Sequence, residues 1–290
     1  MSLAALWDVP APAKLNLFLH VIGRRDDGYH LLQSPFVLID WCDTLHFELR
    51  RDGALQRHDL GAALPADDLC LRAARLLQAE SGCALGADIS IDKQLPAGAG
   101  MGGGSSDAAT ALLALNRLWN LRWPRERLLP LALKLGADVP FFVGGRNAFV
   151  EGIGERLTPI ELPPQWFAVV KPPISIETKG IFQSPLLARD TKPVIVAGFP
   201  ADTSVLREDF GRNDLQPPAE ALAPEVAQAA RWLQSRFGNS RMTGSGSAVF
   251  ARAGAGDRPV ATWREEELPL GWVGRMCRSL KEHPLAGWAD

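Results

Sequence analysis

Cysteine is scarce and unpaired in this chain. Cys42, Cys70, Cys83 and Cys277 are scattered over 290 residues without a C-x-x-C pair, which argues against a disulfide framework and a zinc ribbon. Cys70 falls in the helical run Leu69-Cys-Leu-Arg-Ala-Ala-Arg-Leu-Leu77, where a thiol serves as a small core residue. The five histidines form no H-x-x-x-H set, so that kind of metal centre is not indicated either. A basic run is also missing. The 31 Lys and Arg stand against 33 Asp and Glu, a formal net charge of −2, and nothing electrostatic favours nucleic acid or an anionic membrane as partner. Arginines near the C-terminus read as a solvated surface. No apolar stretch approaches the ~20 residues of a membrane span, and the N-terminus lacks the basic start and apolar core of a secretory signal, so a cytoplasmic protein is expected. No internal repeat or low-complexity segment is visible. What remains is 47% hydrophobic and 22% charged, the composition of a globular enzyme long enough for one large domain or two ordinary ones.

Glycine, by contrast, is concentrated. Residues 95–109 read Leu-Pro-Ala-Gly-Ala-Gly-Met-Gly-Gly-Gly-Ser-Ser-Asp-Ala-Ala. Residues 87–93 before them alternate polar and apolar as a strand does, and Ala108, Leu112, Leu115 and Trp119 after them recur at helical spacing behind Ser105 and Ser106, the expected N-caps. A loop with few side chains thus delivers a helix N-terminus, where unpaired N–H groups and a dipole of about half a charge favour an anion. Two familiar phosphate loops do not fit. Gly98-x-Gly100-x-x-Gly103 matches the dinucleotide fingerprint as a string, but the stretch about 20 positions on, Trp119 to Pro124, is no strand ending in an acidic residue. Gly104-Ser105-Ser106 lacks the Walker lysine. A plain connector would not need so many glycines, each with its entropic cost.

Strands are expected at 13–22, 31–38, 43–50, 88–92 and 147–150, and helices at 69–81, after the glycine loop and at 124–135. Pro159, Pro163 and Pro164 suggest a boundary between a first domain, 1–162, and a second, 163–290, which opens on the apolar strand 166–171. Arg231 to Phe237 ends a further helix, and Arg241-Met-Thr-Gly-Ser-Gly-Ser-Ala-Val-Phe250 is a glycine turn feeding an apolar strand.

Asp138 lies between Gly136 and Pro140 in an otherwise apolar run. A carboxylate there needs a partner, and lysine is the natural one; a turn cap before Pro140 is the alternative. Lys14 sits in the strand Ala11-Pro-Ala-Lys-Leu-Asn-Leu-Phe-Leu-His20, where alternation puts Lys14 and Asn16 on one face, although edge strands also carry lysine as protection. Tyr29, the one tyrosine, adjoins His30 in the turn Asp26-Asp-Gly-Tyr-His30. Such a pair can stack on and hydrogen-bond a flat heterocycle, or simply be a surface turn.

Taken in order from Ala11 to about Ala251, Pro-Ala-Lys-Leu-Asn-Leu, Asp-Gly-Tyr-His, Gly-Met-Gly-Gly-Gly-Ser-Ser-Asp-Ala-Ala, Gly-Ala-Asp-Val-Pro-Phe-Phe and Met-Thr-Gly-Ser-Gly-Ser-Ala-Val-Phe resemble the GHMP small-molecule kinases. The resemblance implies an α+β fold of two domains with the active site in the cleft between them. It implies ATP as phosphoryl donor, with magnesium inferred from ATP use and no dedicated protein metal site. Lys14/Asn16, Gly28-Tyr-His30 and Ala137-Asp-Val-Pro140 are similar to one member of the superfamily, which phosphorylates a tertiary hydroxyl of a cytidine-diphosphate-linked sugar alcohol on the route to isoprenoid precursors. By that resemblance Asp138 is the base and Lys14 orients the hydroxyl. Pro96, Gly98, Gly100, Gly102, Gly103, Gly104, Ser105 and Ser106 would hold the ATP phosphates, with Lys93 and Asp68 on the adenosine side. Asp68 stands where asparagine is common, and Met101 where leucine is usual, a nearly volume-neutral exchange. Tyr29, His30 and Phe182 would grip the cytosine; Asn16, Ile153 and Thr178 would line the substrate pocket beside Gly244, Ser245 and Gly246. A monomer or homodimer is expected. The alternatives are a kinase of the same superfamily for another small alcohol, of the homoserine or mevalonate type, and a nucleotide-binding protein without catalysis. Gly28-Tyr-His30 argues against the first, and the intact Lys14 and Asp138 against the second.

Overall fold

The computed structural model describes residues 3–194 and 211–289. Its longest strand organises the first sheet. β3 (His30–Arg50) carries β1 (Ala5–Asn16) and β2 (His20–Arg24) along it, and pairs also with β5 (Gly86–Asp92) and β6 (Ala148–Gly152). β4 (Leu55–Asp59), parallel to β5, and β7 (Arg156–Pro159), antiparallel to β6, complete seven strands. The two expected strands at 31–38 and 43–50 are therefore one. The polar interruption at Asp40 is absorbed by a register shift, Pro12 facing Cys42 while Ala13 faces Ile39, which bulges the strand without ending it. Conversely, the expected strand 13–22 is split into β1 and β2.

Four helices cover this sheet: α1 (Leu69–Ser81), α2 (Gly103–Leu118), α3 (Arg125–Leu135) and α4 (Val139–Gly144). α2 is buried almost all round. Ala108, Ala109, Ala111 and Ala114 are fully buried, and side chains this small allow close approach by β1, α1 and α4. The second sheet, β11 (Val273–Arg278), β8 (Gln165–Lys171), β10 (Val249–Ala255) and β9 (Arg241–Met242), is antiparallel throughout. α5 (Thr178–Gln183) precedes α6 (Gln216–Leu222) and α7 (Pro224–Phe237), which share a core with β8 and β10. Among the arginines near the C-terminus, read from sequence as solvated surface, Arg275 lies on β11 and is exposed. Among the described residues no helix is long and apolar enough to cross a membrane.

The two layers are interlocked at both ends. Leu19 and Val21, beside and within β2, are buried in the second core. The segment after β11 goes the other way: Leu280 N–H donates to Leu38 O at 2.8 Å, His283 N–H to Gly145 O at 2.8 Å, and Leu285 and Ala289 are buried in the first core. Burial, assisted by nearby Arg125, holds His283 at about 3; the neutral ring accepts from Leu285 N–H through Nδ1.

Because Leu285 is only 2% exposed, truncating it leaves a cavity under the tail. Leu285→Ala is expected to cost about 2–5 kcal/mol in urea unfolding; a change below about 0.5 kcal/mol, the range of ordinary surface changes, would show that the tail is not part of the core.

Candidate functional site

Two loops meet on the edge of β1 that faces away from β3. Lys14 N–H donates to Met101 O at 3.0 Å, Ser106 Oγ donates to Pro12 O at 2.7 Å, and Asn16 N–H donates to Thr243 Oγ1 at 3.0 Å. Pro10 and Pro12, without N–H groups, suit such an edge. The glycine loop is clamped from its other side by Ser247 and Ala248, whose N–H groups donate to Gly98 O at 3.0 Å and Ala99 O at 3.2 Å. At the contact only glycine fits. Gly100 has φ +73° and a Cβ there would lie 2.3 Å from Thr243 O, while a Cβ on Gly244, φ +54°, would lie 2.6 Å from Gly100 O.

The loop does end at a helix N-terminus, but not where the serines suggested. Gly102, in the left-handed conformation at φ 74°, holds the N-cap position and α2 begins at Gly103, so Ser105 and Ser106 lie within the first turn. The expected serine caps are corrected: Ser106 instead spends its hydroxyl on Pro12 O, fastening the helix to β1.

Two cavities open on either side of the loop. The larger, about 470 Å³, is lined by Asp68, Lys93, Pro96, Gly98, Gly100, Gly102, Gly103, Gly104 and Ser105, with Gly246 opposite. The smaller, about 180 Å³, is lined by Lys14, Asn16, Asp138, Ile153, Phe182 and Gly244. Gly100, Gly102, Thr178 and Ser245 line both, and Thr178 Oγ1 lies 2.9 Å from Ser245 Oγ between them. Tyr29, 60% exposed, and His30 line neither cavity. His30 reaches the smaller one through Phe182, on which it stacks with ring centroids 4.9 Å apart. Buried Ser106 does not line them either.

Lys14, 3% exposed, is the charged centre of the smaller cavity. Its Nζ donates to Asn16 Oδ1 at 2.6 Å and Gly100 O at 3.0 Å, stands 4.6 Å from the centroid of the Phe36 ring, and faces Asp138 Oδ2 at 3.7 Å. Burial pulls its pKa below 10.5, and Asp138 opposes that pull. Asp138 occupies the N-cap position of α4, yet its side chain makes no capping hydrogen bond, so the turn-cap alternative is removed. The turn after β6 packs behind it, with Gly154 at φ +119° bringing its backbone against Ala137.

A second, half-buried cation lines the larger cavity. Lys93 Nζ donates to Asp43 and, at 2.7 Å, to Asp107 Oδ2. Burial lowers the Lys93 pKa, but Asp107 and Asp43 outweigh it and the net direction is upward. Two carboxylates share one ammonium: burial, with the charge of Asp43 adding to it, pushes Asp107 up to about 7 against the pull of Lys93. Asp43 also accepts from Gln94 N–H at 2.6 Å and Leu95 N–H at 2.7 Å, anchoring the start of the glycine loop. Sequence reasoning missed both acids. Asp107 was visible as a carboxylate among the small apolar residues of the helix, a setting that calls for a partner; Asp43, 51 residues before Gln94, gave no local signal. Asp68 lines the larger cavity while capping α1, accepting from Leu71 N–H at 2.8 Å, and pairing with Arg57. Asn213, also missed, ties Met242 O and Gly244 O at 2.7 and 2.8 Å and so fixes the second loop.

The described residues contain no group of three or more His, Cys, Asp or Glu arranged to hold a metal ion. Residues 68–146 match the model of the GHMP kinase N-terminal domain, and residues 201–264 that of the GHMP kinase C-terminal domain. The chain is 69% identical to a 4-diphosphocytidyl-2-C-methyl-D-erythritol kinase of Methylibium petroleiphilum over all of both chains. It resembles the crystal structure of a 4-(cytidine 5'-diphospho)-2C-methyl-D-erythritol kinase with TM-score 0.73 and 35% identity, covering 85% of this chain and 90% of that one. A homoserine kinase from Cytophaga hutchinsonii shares the fold, with TM-score 0.68 and 17% identity, over 98% of this chain and 96% of that one.

Glycines of the loop divide by what surrounds them. Gly100→Ala is expected to destabilise the protein by more than about 2 kcal/mol, since backbone cannot yield to the added methyl. A Cβ on Gly104 meets only Leu69 Cδ1 at 3.9 Å, so Gly104→Ala should leave stability within about 0.5 kcal/mol. Equal stabilities of the two variants in urea unfolding would remove the packing argument for Gly100.

Proposed function

The chain belongs to the GHMP kinases and, within them, to the 4-diphosphocytidyl-2-C-methyl-D-erythritol kinases, and on that premise we propose how its residues phosphorylate the tertiary 2-hydroxyl of that cytidylyl alcohol with ATP. This is an ATP-dependent step of the non-mevalonate route to isoprenoid precursors. The larger cavity takes ATP, its phosphates against the N–H groups and dipole at the start of α2. The smaller takes the sugar alcohol, and the residues common to both cavities flank the path of the transferred group.

One observation carries the reading: Lys14 Nζ and Asp138 Oδ2 face each other at 3.7 Å, an ion-pair separation too long for a direct hydrogen bond. A hydroxyl oxygen inserted beside them can accept from Lys14 and donate its hydrogen to Asp138. Asp138 takes the proton as the oxygen attacks the γ-phosphorus, the bond to the β-phosphate bridging oxygen breaks, and ADP leaves. Phosphoryl transfer of this kind needs positioning and charge stabilisation rather than a covalent intermediate. Lys14, already satisfied by Asn16 and Gly100, holds the hydroxyl without having to reorganise. Magnesium accompanying ATP would neutralise phosphate charge, and Ser105, which lines the cavity, would be the hydroxyl to hold it, since that of Ser106 is taken by Pro12.

The pyrimidine end is read by Tyr29, His30 and Phe182. The stacked pair of His30 and Phe182 supports a site for a flat ring, with Phe182 at the cavity wall and Tyr29 free to cover it from outside. Lys93, oriented by Asp43 and Asp107, and Asp68 border the adenosine side. The chain acts on a small molecule in the cytoplasm, with neither nucleic acid nor membrane as partner.

Asp138→Asn keeps the shape but not the base. Turnover is expected to fall about 10²–10⁴-fold while the KM for ATP stays within about twofold, read by coupled ADP release; near-normal kcat in the folded variant would take Asp138 out of the mechanism. The wild type supplies a second check through pH. Because burial draws Lys14 below 10.5, its ammonium is lost at lower pH than that of a free lysine, and kcat should decline on the alkaline side with an apparent pKa below 10.5. Activity that rises through that region would mean that the charged form is not required.

A further inference from the structure

We infer that Arg189 is a positioning residue that fixes which hydrogen-bonding face His30 offers to the pyrimidine, and thereby sets a preference for cytosine over uracil. The inference rests on the reading of the site given above and deepens it. Arg189 lies just beyond α5, and its Nε–H donates to His30 Nε2 at 3.3 Å. A guanidinium does not lose its proton in a protein. Its N–H therefore requires a lone pair on Nε2, and the one proton of the neutral imidazole must sit on Nδ1.

The arginine itself cannot swing away. Its Nη1 donates to Leu187 O at 3.1 Å, and its Nη2 donates to both Phe182 O and Ser184 O at 3.0 Å. One rigid fork thus holds the backbone of Phe182 and the imidazole of His30, the two rings that stack at an interplanar angle of 26°. Burial, then Arg189 and Arg24, also keep His30 below its ordinary 6.5, in agreement with a neutral ring.

The chemistry of the bases turns this tautomer into selectivity. N3 of cytosine is a hydrogen-bond acceptor, whereas N3 of uracil carries a hydrogen. An Nδ1–H donor satisfies the first and opposes the second, and a site built to pair with one group leaves polar atoms unpaired when the analogue lacks it. The other tautomer would invert the preference.

Two measurements test this. In 15N-labelled wild-type protein, two-bond 1H–15N correlations at neutral pH, with His30 assigned by comparison with His30→Gln, should show the Nδ1–H tautomer for His30. Kinetics of Arg189→Met, which keeps the length of the side chain but no donor, should show the KM for the cytidylyl alcohol raised about tenfold and the KM for ATP within about twofold. The kcat/KM preference for the cytidine over the uridine form of the substrate should fall at least about tenfold in the same variant. An Nε2–H tautomer in the wild type overturns the inference, whether or not the variant folds, and so does an unchanged base preference in a folded variant. Wild-type enzyme that turns over the cytidylyl alcohol yet holds the Nε2–H tautomer sinks the role of Arg189 alone. Wild-type enzyme that releases no ADP with that alcohol sinks the substrate assignment and this inference with it.

Discussion

The buried ammonium of Lys14 is the constraint around which the site is arranged. An uncompensated charge in the interior costs several kcal/mol even after relaxation, so each N–H must find an acceptor. The partners come from separate parts of the chain: Asn16, from the same face of β1, and Gly100, from the glycine loop, accept hydrogen bonds, and Asp138, from the start of α4, supplies the opposite charge. The Phe36 ring closes the remaining side. Moving any of these elements would strand the charge, so satisfying one lysine fixes the loop, the strand and the short helix relative to one another. The carboxylate is the partner held least closely and the one with a third of its side chain exposed, so it is open on one side to the cavity it lines.

Glycine has two duties in this architecture, and they fall on different residues. At Gly100 and Gly244 it lets two backbones touch, joining the loop of the first layer to the turn of the second. At Gly103 and Gly104 it leaves the opening of the first turn of α2 without side chains, so that the unpaired backbone N–H groups there stay uncovered. Close to that turn two carboxylates crowd together, Asp107 at the fifth residue of α2 and Asp43 on β3, and like charges so placed repel. Lys93 resolves the conflict by bonding both, and Asp43 uses its remaining oxygen to hold the N–H groups of Gln94 and Leu95 at the entry to the loop.

Local pattern revealed a good part of this. Alternation placed Lys14 and Asn16 on one face, a lone carboxylate in an apolar run called for a cation, and a side-chain-poor loop announced the helix N-terminus that follows it; all three signals lie within a few residues of the group they describe. What sequence left hidden depends on distant partners. Nothing near Asp40 shows that β3 runs on through a bulge opposite Pro12 and Ala13. Serines following glycines look like caps until Gly102, free to take a positive φ, claims the cap position. Nothing around Asp68 announces Arg57, on β4, as its ion-pair partner. The return of residues 279–289 to the first core and the grip of Arg189 on His30, 159 residues away, follow from tertiary contacts that no window of sequence contains.

The central claim is geometric: the acceptor hydroxyl sits between Lys14 and Asp138. A crystal structure of the enzyme with the cytidylyl alcohol and a non-hydrolysable ATP analogue tests it most directly. The tertiary hydroxyl oxygen is predicted within hydrogen-bond reach, about 2.6–3.2 Å, of both Lys14 Nζ and an Asp138 carboxylate oxygen, with the γ-phosphate approaching from the side of the glycine loop. A bound substrate whose hydroxyl lies away from both groups, with the phosphates still at the start of α2, would contradict the account.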